Sequence, residues 1–475
     1  MFNSGNTYSK EKPKKPVRSS SGVTPLTVVL KPRKCNHGTC IYCPGGDLVP
    51  QSYTDKSPAI MRALALNFDP YIQVKKRLDV LKKMGHPTDK IELIVLGGTF
   101  LQYEVDYQHD FIKKCFDALN EKDSKNLNKA KKINEKAKHR CVAMCIENRP
   151  DNCSSEEIKR MLEFGCTRVE IGIQLPDDEI YKKINRGHKV KDVVEATERL
   201  KNAGFKVGYH FMPGLPYSNP DKDLKLFKIL FEDERFRPDQ LKIYPCQIVE
   251  SSPLALMYKK INYEPYTTGQ MQSLLMKMIP LIPEYCRIMR IMREIPKEKM
   301  LINPMKLDIR KDVEDILRKQ GIEVKEIRIR EIGFNLSYLP KRGQMREIGF
   351  NNSDNSELKL KIMEYSASNG KEYFLEVVNK RNILFGLLRL RIFNGKNAII
   401  RELHVYGKSL DLGEKGEISQ HKGIGKWLMN EAENIAKKKK CKEVKVISGV
   451  GVREYYSSKL GYHIDNQNNY MIKEL

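Results

Sequence analysis

Between Leu26 and about Pro245 the chain alternates short apolar runs with longer stretches in which apolar residues recur every third or fourth position. The short runs read as strands and the longer periodicity as amphipathic helix. The strands predicted in this way are Leu26–Lys31, Ile91–Leu96, Cys141–Glu147, Arg168–Gln174, Lys206–Phe211 and Leu241–Tyr244. Helices are predicted over Tyr71–Met84, Phe111–Leu119, Ser155–Phe164, Val190–Ala203 and Lys222–Phe231, each bounded by Gly, Pro, Asp or Asn. Strand and helix in alternation is the signature of consecutive βα units with a parallel sheet. Six such units suit a partial barrel, and in sheets of this kind chemistry gathers at the carboxyl ends of the strands.

From Ile295 to Lys359 the periodicity weakens, and a short echo appears, Arg330–Asn335 against Arg346–Asn351. One duplication of this length is too little for a solenoid, so the region reads as a linker with a small subdomain. From Leu360 strands return at Tyr373–Val378, Leu384–Phe393 and Ala398–Val405. A helix from about Lys422 to Lys438, a strand Val444–Ile447 and a helix near Arg453 follow. The expected organisation is α/β throughout: an arm over 1–25, a partial (β/α)6 barrel over 26–295, a linker over 296–359 and a small separate α/β domain over 360–475.

Charge adds a partner to this picture. Lys and Arg total 85 against 60 acidic residues, so the formal charge is 85 − 60 = +25, far above what solubility requires, and a polyanion is the natural partner. Eight basic residues and a single acid, Glu11, lie before Cys35. The 40% apolar content supports ordinary cores and excludes a disordered chain. No apolar run approaches the roughly 18 residues of a membrane span, and the first residues lack the apolar core of a secretory signal. A cytoplasmic protein is expected, in which the 11 cysteines are thiols and any cluster of them is a metal site.

Such a cluster follows the first strand: Cys35, Cys40 and Cys43, spaced C-x4-C-x2-C in a glycine-rich loop. Three thiolates can hold a [4Fe–4S] cluster with one iron left open to chelate S-adenosylmethionine. A zinc site with His37 as fourth ligand uses the same residues. Position favours the cluster, because the second strand ends in Gly97-Gly98-Thr99, where glycines let backbone groups approach a ligand closely. In the C-terminal domain, Gln420-His-Lys-Gly423-Ile-Gly425-Lys426 opens an amphipathic helix after a strand. Free amides at such a helix start cradle a pyrophosphate, and the spacing is similar to the Q/R-x-x-G-x-G/A loop of the acetyltransferase superfamily.

Both halves resemble one family, the catalytic subunit of the Elongator complex in its single-chain archaeal form. The resemblance runs from about Val17 to the end and rests on Lys31–Gly46, Gln51–Tyr53, Met61–Ala63, Leu96–Phe100, Glu147–Asp151, Val169–Gln174, Asn185–His188, Met212–Pro216 and Lys242–Pro245. In the second half it rests on Arg401–Gly407, Gln420–Gly425 and Val446–Gly451. The resemblance implies a radical S-adenosylmethionine barrel fused to a GNAT-like acetyltransferase domain, acting as a tRNA uridine acetyltransferase. A 5′-deoxyadenosyl radical would take hydrogen from the acetyl group of acetyl-CoA, and the carbon radical would add to C5 of the wobble uridine as a carboxymethyl precursor. It implies Cys35, Cys40 and Cys43 as cluster ligands, and Gly97, Gly98, Gln174 and Lys242 around S-adenosylmethionine. For acetyl-CoA it implies Lys90, Glu402, Leu403, His404, Val405, Ile424, Gly425, Lys426 and Tyr456, with Lys90 bridging the two domains.

The partners implied are the tRNA anticodon stem-loop, held in part by Lys12, Lys14, Lys15 and Arg18, and an electron donor for the cluster. The segment Lys122–Arg140, with eight basic residues, is a further RNA candidate. The sequence departs from the family where Val324–Glu331 carries no thiol, which removes a linker zinc site, and where Leu175 replaces a serine. A protein lysine acetyltransferase with a structural iron–sulfur barrel is the competing reading.

Overall fold

Seven strands form one sheet in sequence order: β1 (Thr24–Val29), β2 (Lys90–Leu96), β3 (Arg140–Asn148), β4 (Arg168–Gln174), β5 (Lys206–Phe211), β6 (Gln240–Ile243) and β7 (Arg287–Ile291). Every neighbouring pair is parallel. This computed structural model describes residues 19, 22–337, 358–407 and 423–475. The six strands read from the sequence are β1–β6, their ends shifted by no more than two residues. The seventh corrects the count of six: Arg287, Met289 and Arg290 leave β7 without the apolar run that marks a buried strand.

Helices cover the outside. Their ends are set by ordinary local chemistry: Ser154 and Glu157 close a capping box ahead of Ser155–Phe164, which stops at Gly165 with φ +80°. Asn219 caps Pro220–Glu232, with proline at the first turn. The stretch after β7 is docked on the barrel. Arg310 pairs with Glu314 and Glu326, Arg287 with Glu331, and Ile309–Lys319 packs against Thr268–Met278. Among the described residues no helix is long and apolar enough to cross a membrane, and all 11 cysteines are free.

The second sheet comprises β8 (Lys359–Ala367), β9 (Gly370–Val378), β10 (Leu384–Phe393), β11 (Asn397–Val405), β12 (Glu443–Val446), β13 (His463–Ile464) and β14 (Met471–Glu474). Its order is β13-β14-β12-β11-β10-β9-β8, mixed rather than parallel. Neither β8 nor the last pair is legible as a strand pattern, because β8 is a half-exposed edge strand and β13 is two residues long. The pair β11 and β12 is parallel, and helix Ile424–Lys438 lies across β9 to β12.

The two sheets meet at the amino-terminal end of the barrel, through buried ion pairs. Arg401 of β11 donates to both carboxylate oxygens of Asp239 at 2.7 Å, to Glu372 at 2.8 Å and to the Phe205 carbonyl at 2.8 Å. Glu402 accepts from Lys206 at the start of β5, at 2.9 Å, and from Arg389 at 2.8 Å. Asp239 also accepts from the Val207 amide. Three side chains at the centre, Arg401, Asp239 and Glu372, are at most 1% exposed. Arg401→Met should therefore destabilise the folded chain by about 3–5 kcal/mol, since it leaves two buried carboxylates short of a partner. Urea unfolding measures this, with exposed Lys438 changed to Ala as a control expected to stay within about 0.5 kcal/mol.

Candidate active site

The loop after β1 is pinned before any metal is considered. Tight turns close at Cys35–Gly38 and Cys40–Cys43, and the loop is strapped from two sides by Ile41 N–H to the Ile184 carbonyl and by Leu254 N–H to the Ile41 carbonyl. Cys35, Cys40 and Cys43 all line one cavity at the carboxyl rim of the barrel. Burial raises the Cys35 thiol, and raises Cys43 to about 11 with help from neighbouring Cys40. Without a metal Cys35 and Cys43 are neutral thiols, and a bound metal would displace their protons. Cys43 Sγ lies 3.1 Å from Ser52 Oγ, and Arg186 donates to Cys40 Sγ at 3.6 Å.

The alternative with His37 as a fourth ligand is decided by one hydrogen bond. Burial and the Arg149 guanidinium push the imidazole pKa down to about 4, so His37 is neutral. Its Nε2 lies 3.4 Å from Cys40 Sγ and 3.1 Å from Arg149 Nη1. A guanidinium only donates, so that lone pair is already taken. Three thiols without a fourth ligand fit a cluster that keeps one iron open better than they fit tetrahedral zinc.

Beside the thiols, β2 ends in Gly97 and Gly98 at φ +140° and +87°. A Cβ on Gly97 would sit 2.7 Å from Leu30 Cβ, so a side chain has no room there. Gly98, not Gly97, reaches the cavity. Gln174 closes β4 in the left-handed region, φ +59°, and its buried Oε1 has no partner in the protein. An orphaned acceptor facing a cavity calls for a donor from a ligand, which fits a bound S-adenosylmethionine.

Lys242 reaches the same cavity but is not free. It contacts Glu170 and lies 3.3 Å from Glu147 Oε1; Tyr53 donates to Glu147 Oε2 at 2.8 Å, and His210 Nε2 lies 2.9 Å from Glu170 Oε2. Glu147, Glu170 and His210 have the spacing of a metal site, yet the Lys242 ammonium already sits among them. Burial alone would lower the Lys242 pKa, and Glu170, Tyr244 and Glu147 more than reverse this. Lys242 is therefore the resident cation of that wall. Sequence reasoning missed Glu170, His210, Tyr53, Arg149 and Arg186. The available signal was a polar residue or glycine at every second position of β4 to β6, as in Arg168-Val-Glu170-Ile-Gly172-Ile-Gln174, which says that the inner face of the sheet is not an apolar core.

The acetyl-CoA candidates lie at the other end of the barrel. Ile424 packs over Gly386, and Val405, Gly425 and the Tyr455 hydroxyl come together: a Cβ on Gly425 would stand 2.9 Å from that oxygen. Tyr456 is instead buried against Tyr462, so of the two tyrosines Tyr455 is the one at the helix start. Glu402 is engaged in the domain seam, His404 stacks near Tyr406, Leu403 is half-buried and Lys426 is exposed. Lys90 opens β2 next to Arg140, beneath the Gly449–Gly451 turn of the second domain, and burial lowers its pKa. Lys12, Lys14, Lys15, Arg18 and Gln420 lie outside the described residues. In the Lys122–Arg140 segment Lys131 is buried, bonded to the Glu163 carbonyl, while Lys122, Lys125, Lys129, Lys136 and Lys138 are exposed.

Comparison with known proteins finds relatives along nearly the whole chain. The Radical SAM superfamily matches residues 29–229, and the Radical_SAM C-terminal domain matches residues 238–319. The chain is 46% identical to the tRNA uridine(34) acetyltransferase of Dehalococcoides mccartyi, covering 97% of this chain and 100% of the relative. It is 35% identical to Elongator complex protein 3 of Homo sapiens, over 97% of this chain and 86% of that one. The solved structure of the archaeal Methanocaldococcus infernus Elp3 with an N-terminal deletion superposes with a TM-score of 0.81 at 40% identity, covering 96% of this chain and 100% of the other.

His37→Ala, reconstituted anaerobically, should retain the iron and sulfide content of the parent protein, while Cys40→Ala should lose it. Quantitation of iron and sulfide per chain checks both. Loss of iron in the His37 variant would return the imidazole to the coordination sphere.

Proposed function

The chain belongs to the family of tRNA uridine(34) acetyltransferases and Elongator complex protein 3, and on that premise we propose how its residues divide the work of modifying the wobble uridine. It is a radical S-adenosylmethionine enzyme of the acyltransferase class, with a [4Fe–4S] cluster, S-adenosylmethionine and acetyl-CoA as its cofactors and substrate. Held at the rim, the cluster and S-adenosylmethionine would supply a 5′-deoxyadenosyl radical to take hydrogen from the acetyl methyl; that carbon would add to uridine C5, the adduct would give back one electron and lose the C5 proton, and hydrolysis of the thioester would release CoA and leave carboxymethyluridine. Cys35, Cys40 and Cys43 hold the cluster. Gly98 and Gln174 hold the sulfonium cofactor against it, Gly97 shapes the turn that lets Gly98 approach, and Lys242 fixes the carboxylates of the facing wall.

The second domain holds acetyl-CoA in a GNAT-like cleft. In support, β11 and β12 pair in parallel only over Ala398–Ile400, after which β12 ends and β11 continues to Val405 paired with β10 alone. A bulge at Arg401 bends β11 where this opening begins. Gly423, at φ +78°, starts the Ile424–Lys438 helix with no side chain capping its amides, the arrangement that takes a pyrophosphate. Leu403, His404 and Val405 line the open edge, Lys426 stands outside for the phosphates, Tyr455 and Tyr456 shape the acyl end, and Lys90 approaches from the barrel. The tRNA anticodon stem-loop is held in part by Lys12, Lys14, Lys15 and Arg18. An external one-electron donor must charge the cluster, because sulfonium cleavage consumes an electron.

The observation that carries this reading is the convergence of three cysteines, Gly98 and the unpartnered Gln174 oxygen in one rim cavity of a parallel half-barrel. Anaerobic turnover with methyl-deuterated acetyl-CoA and tRNA tests it. Carboxymethyluridine and deuterated 5′-deoxyadenosine should both form, and Cys40→Ser should lose both while still binding tRNA. Acetylated peptide made by the Cys40 variant, with no modified uridine from the parent, would favour a lysine acetyltransferase instead. Gly425→Glu should abolish acetyl-CoA binding, read by calorimetry, because a carboxylate at the helix start repels the pyrophosphate.

A further inference from the structure

A buried guanidinium with no anion is expensive, and this fold otherwise avoids it. Eight arginines are buried among the described residues. Seven of them are ion-paired with an aspartate or glutamate. Arg186, 6% exposed, is the eighth and has no carboxylate partner. Its Nη2 donates to the Gly172 carbonyl at 2.5 Å, its Nη1 to Cys40 Sγ at 3.6 Å, and its buried Nε has no partner. A second guanidinium stands close by: Arg149 donates to the Arg186 carbonyl at 2.9 Å, but its own charge is answered by Asp151 at 2.8 Å. Among the described residues, the groups of opposite charge available to Arg186 are the cysteine sulfurs once they are thiolates.

We infer that Arg186 is the counter-ion of the cysteine-bound cluster and raises its reduction potential. The inference rests on the cluster reading above. Three thiolates give the assembly a net negative charge, and one-electron reduction deepens it. A fixed cation touching a ligand sulfur stabilises the reduced state more than the oxidised one, and cluster potentials follow net charge, hydrogen bonds to sulfur and exposure. The strap that carries Arg186 is held independently of it: Asn185 Nδ2 donates to the Thr39 carbonyl and Ile184 accepts from Ile41 N–H. The charge can therefore be removed with the loop still in place. An unpaired arginine here also explains why Gly172 carries no side chain, since a Cβ would lie 2.7 Å from Arg186 Nη2.

The test is a redox titration of the reconstituted full-length protein, followed by the electron paramagnetic resonance signal of the reduced cluster, with S-adenosylmethionine absent. Arg186→Gln should lower the ratio of reduced to oxidised cluster about tenfold at a fixed potential, a shift of about 59 mV for a one-electron couple, and Arg186→Lys should restore most of it. An unchanged potential in the glutamine variant, with weakened S-adenosylmethionine binding, overturns the inference and makes Arg186 a cofactor ligand only. If the glutamine variant folds but holds no iron, loading by the lysine variant supports the charge, and failure of both to load counts against it. Parent protein that itself holds no iron defeats the cluster reading rather than this one.

Discussion

Strands hydrogen-bonded in parallel deliver all their carboxyl ends to one rim and all their amino ends to the other, and the connecting helices cannot change this. Everything functional in the barrel follows from that directionality. The loop after β1 carries the thiols, the end of β2 carries Gly98, the end of β3 carries Glu147 and Arg149, and β4 ends in Gln174. None of these is near the others in sequence. The same constraint creates the opposite surface, where Lys90, Arg140, Lys206 and Asp239 sit at or just before strand starts, and that surface receives the second domain.

Inside the sheet the chain departs from the usual barrel filling of branched apolar residues. Arg168 faces Glu92 and Glu170, and Lys242 faces Glu147 and Glu170. Taking such charges out of water is unfavourable unless every one is paired. Here the pairs close on one another, which gives the cavity a wall of paired charges held in place by the sheet. A wall of that kind needs little reorganisation when charge moves at the rim. Arg186 is the exception to this pairing, and the exception points at the thiols.

The parallel half-barrel was legible because β1 to β3 carry apolar runs, β4 to β6 keep an apolar residue at every second position, and the connecting helices keep a clear 3.6-residue period. Legible also were the three cysteines, whose spacing alone separates them from the single thiols buried in the core. β7 was not, since Arg287, paired with distant Glu331, and Arg290, paired with Glu294 four residues on, break up the apolar run. The inner wall was hidden for a related reason. Glu170, His210 and Lys242 come from three strands, and only their register, His210 opposite Lys242 and Glu170 opposite Gly208, brings them together. The distinction between Tyr455 and Tyr456 depends on where one helix begins, which sequence locates only to within a residue or two.

The two cofactor regions lie at opposite ends of the strands, and the seam between domains decides how they can cooperate. β5 shows the separation directly. Lys206 at its start binds Glu402, while His210 four residues on faces the rim cavity, roughly 13 Å further along the strand at about 3.3 Å per residue. Rotating one domain against the other would break Arg401 from Asp239 and Glu402 from Lys206, each a buried pair whose disruption costs about 3–5 kcal/mol. Domain closure is thus the unfavourable route. On the proposed reading, the groups left to travel are the ligands themselves, a flexible thioester arm and an unstacked RNA base.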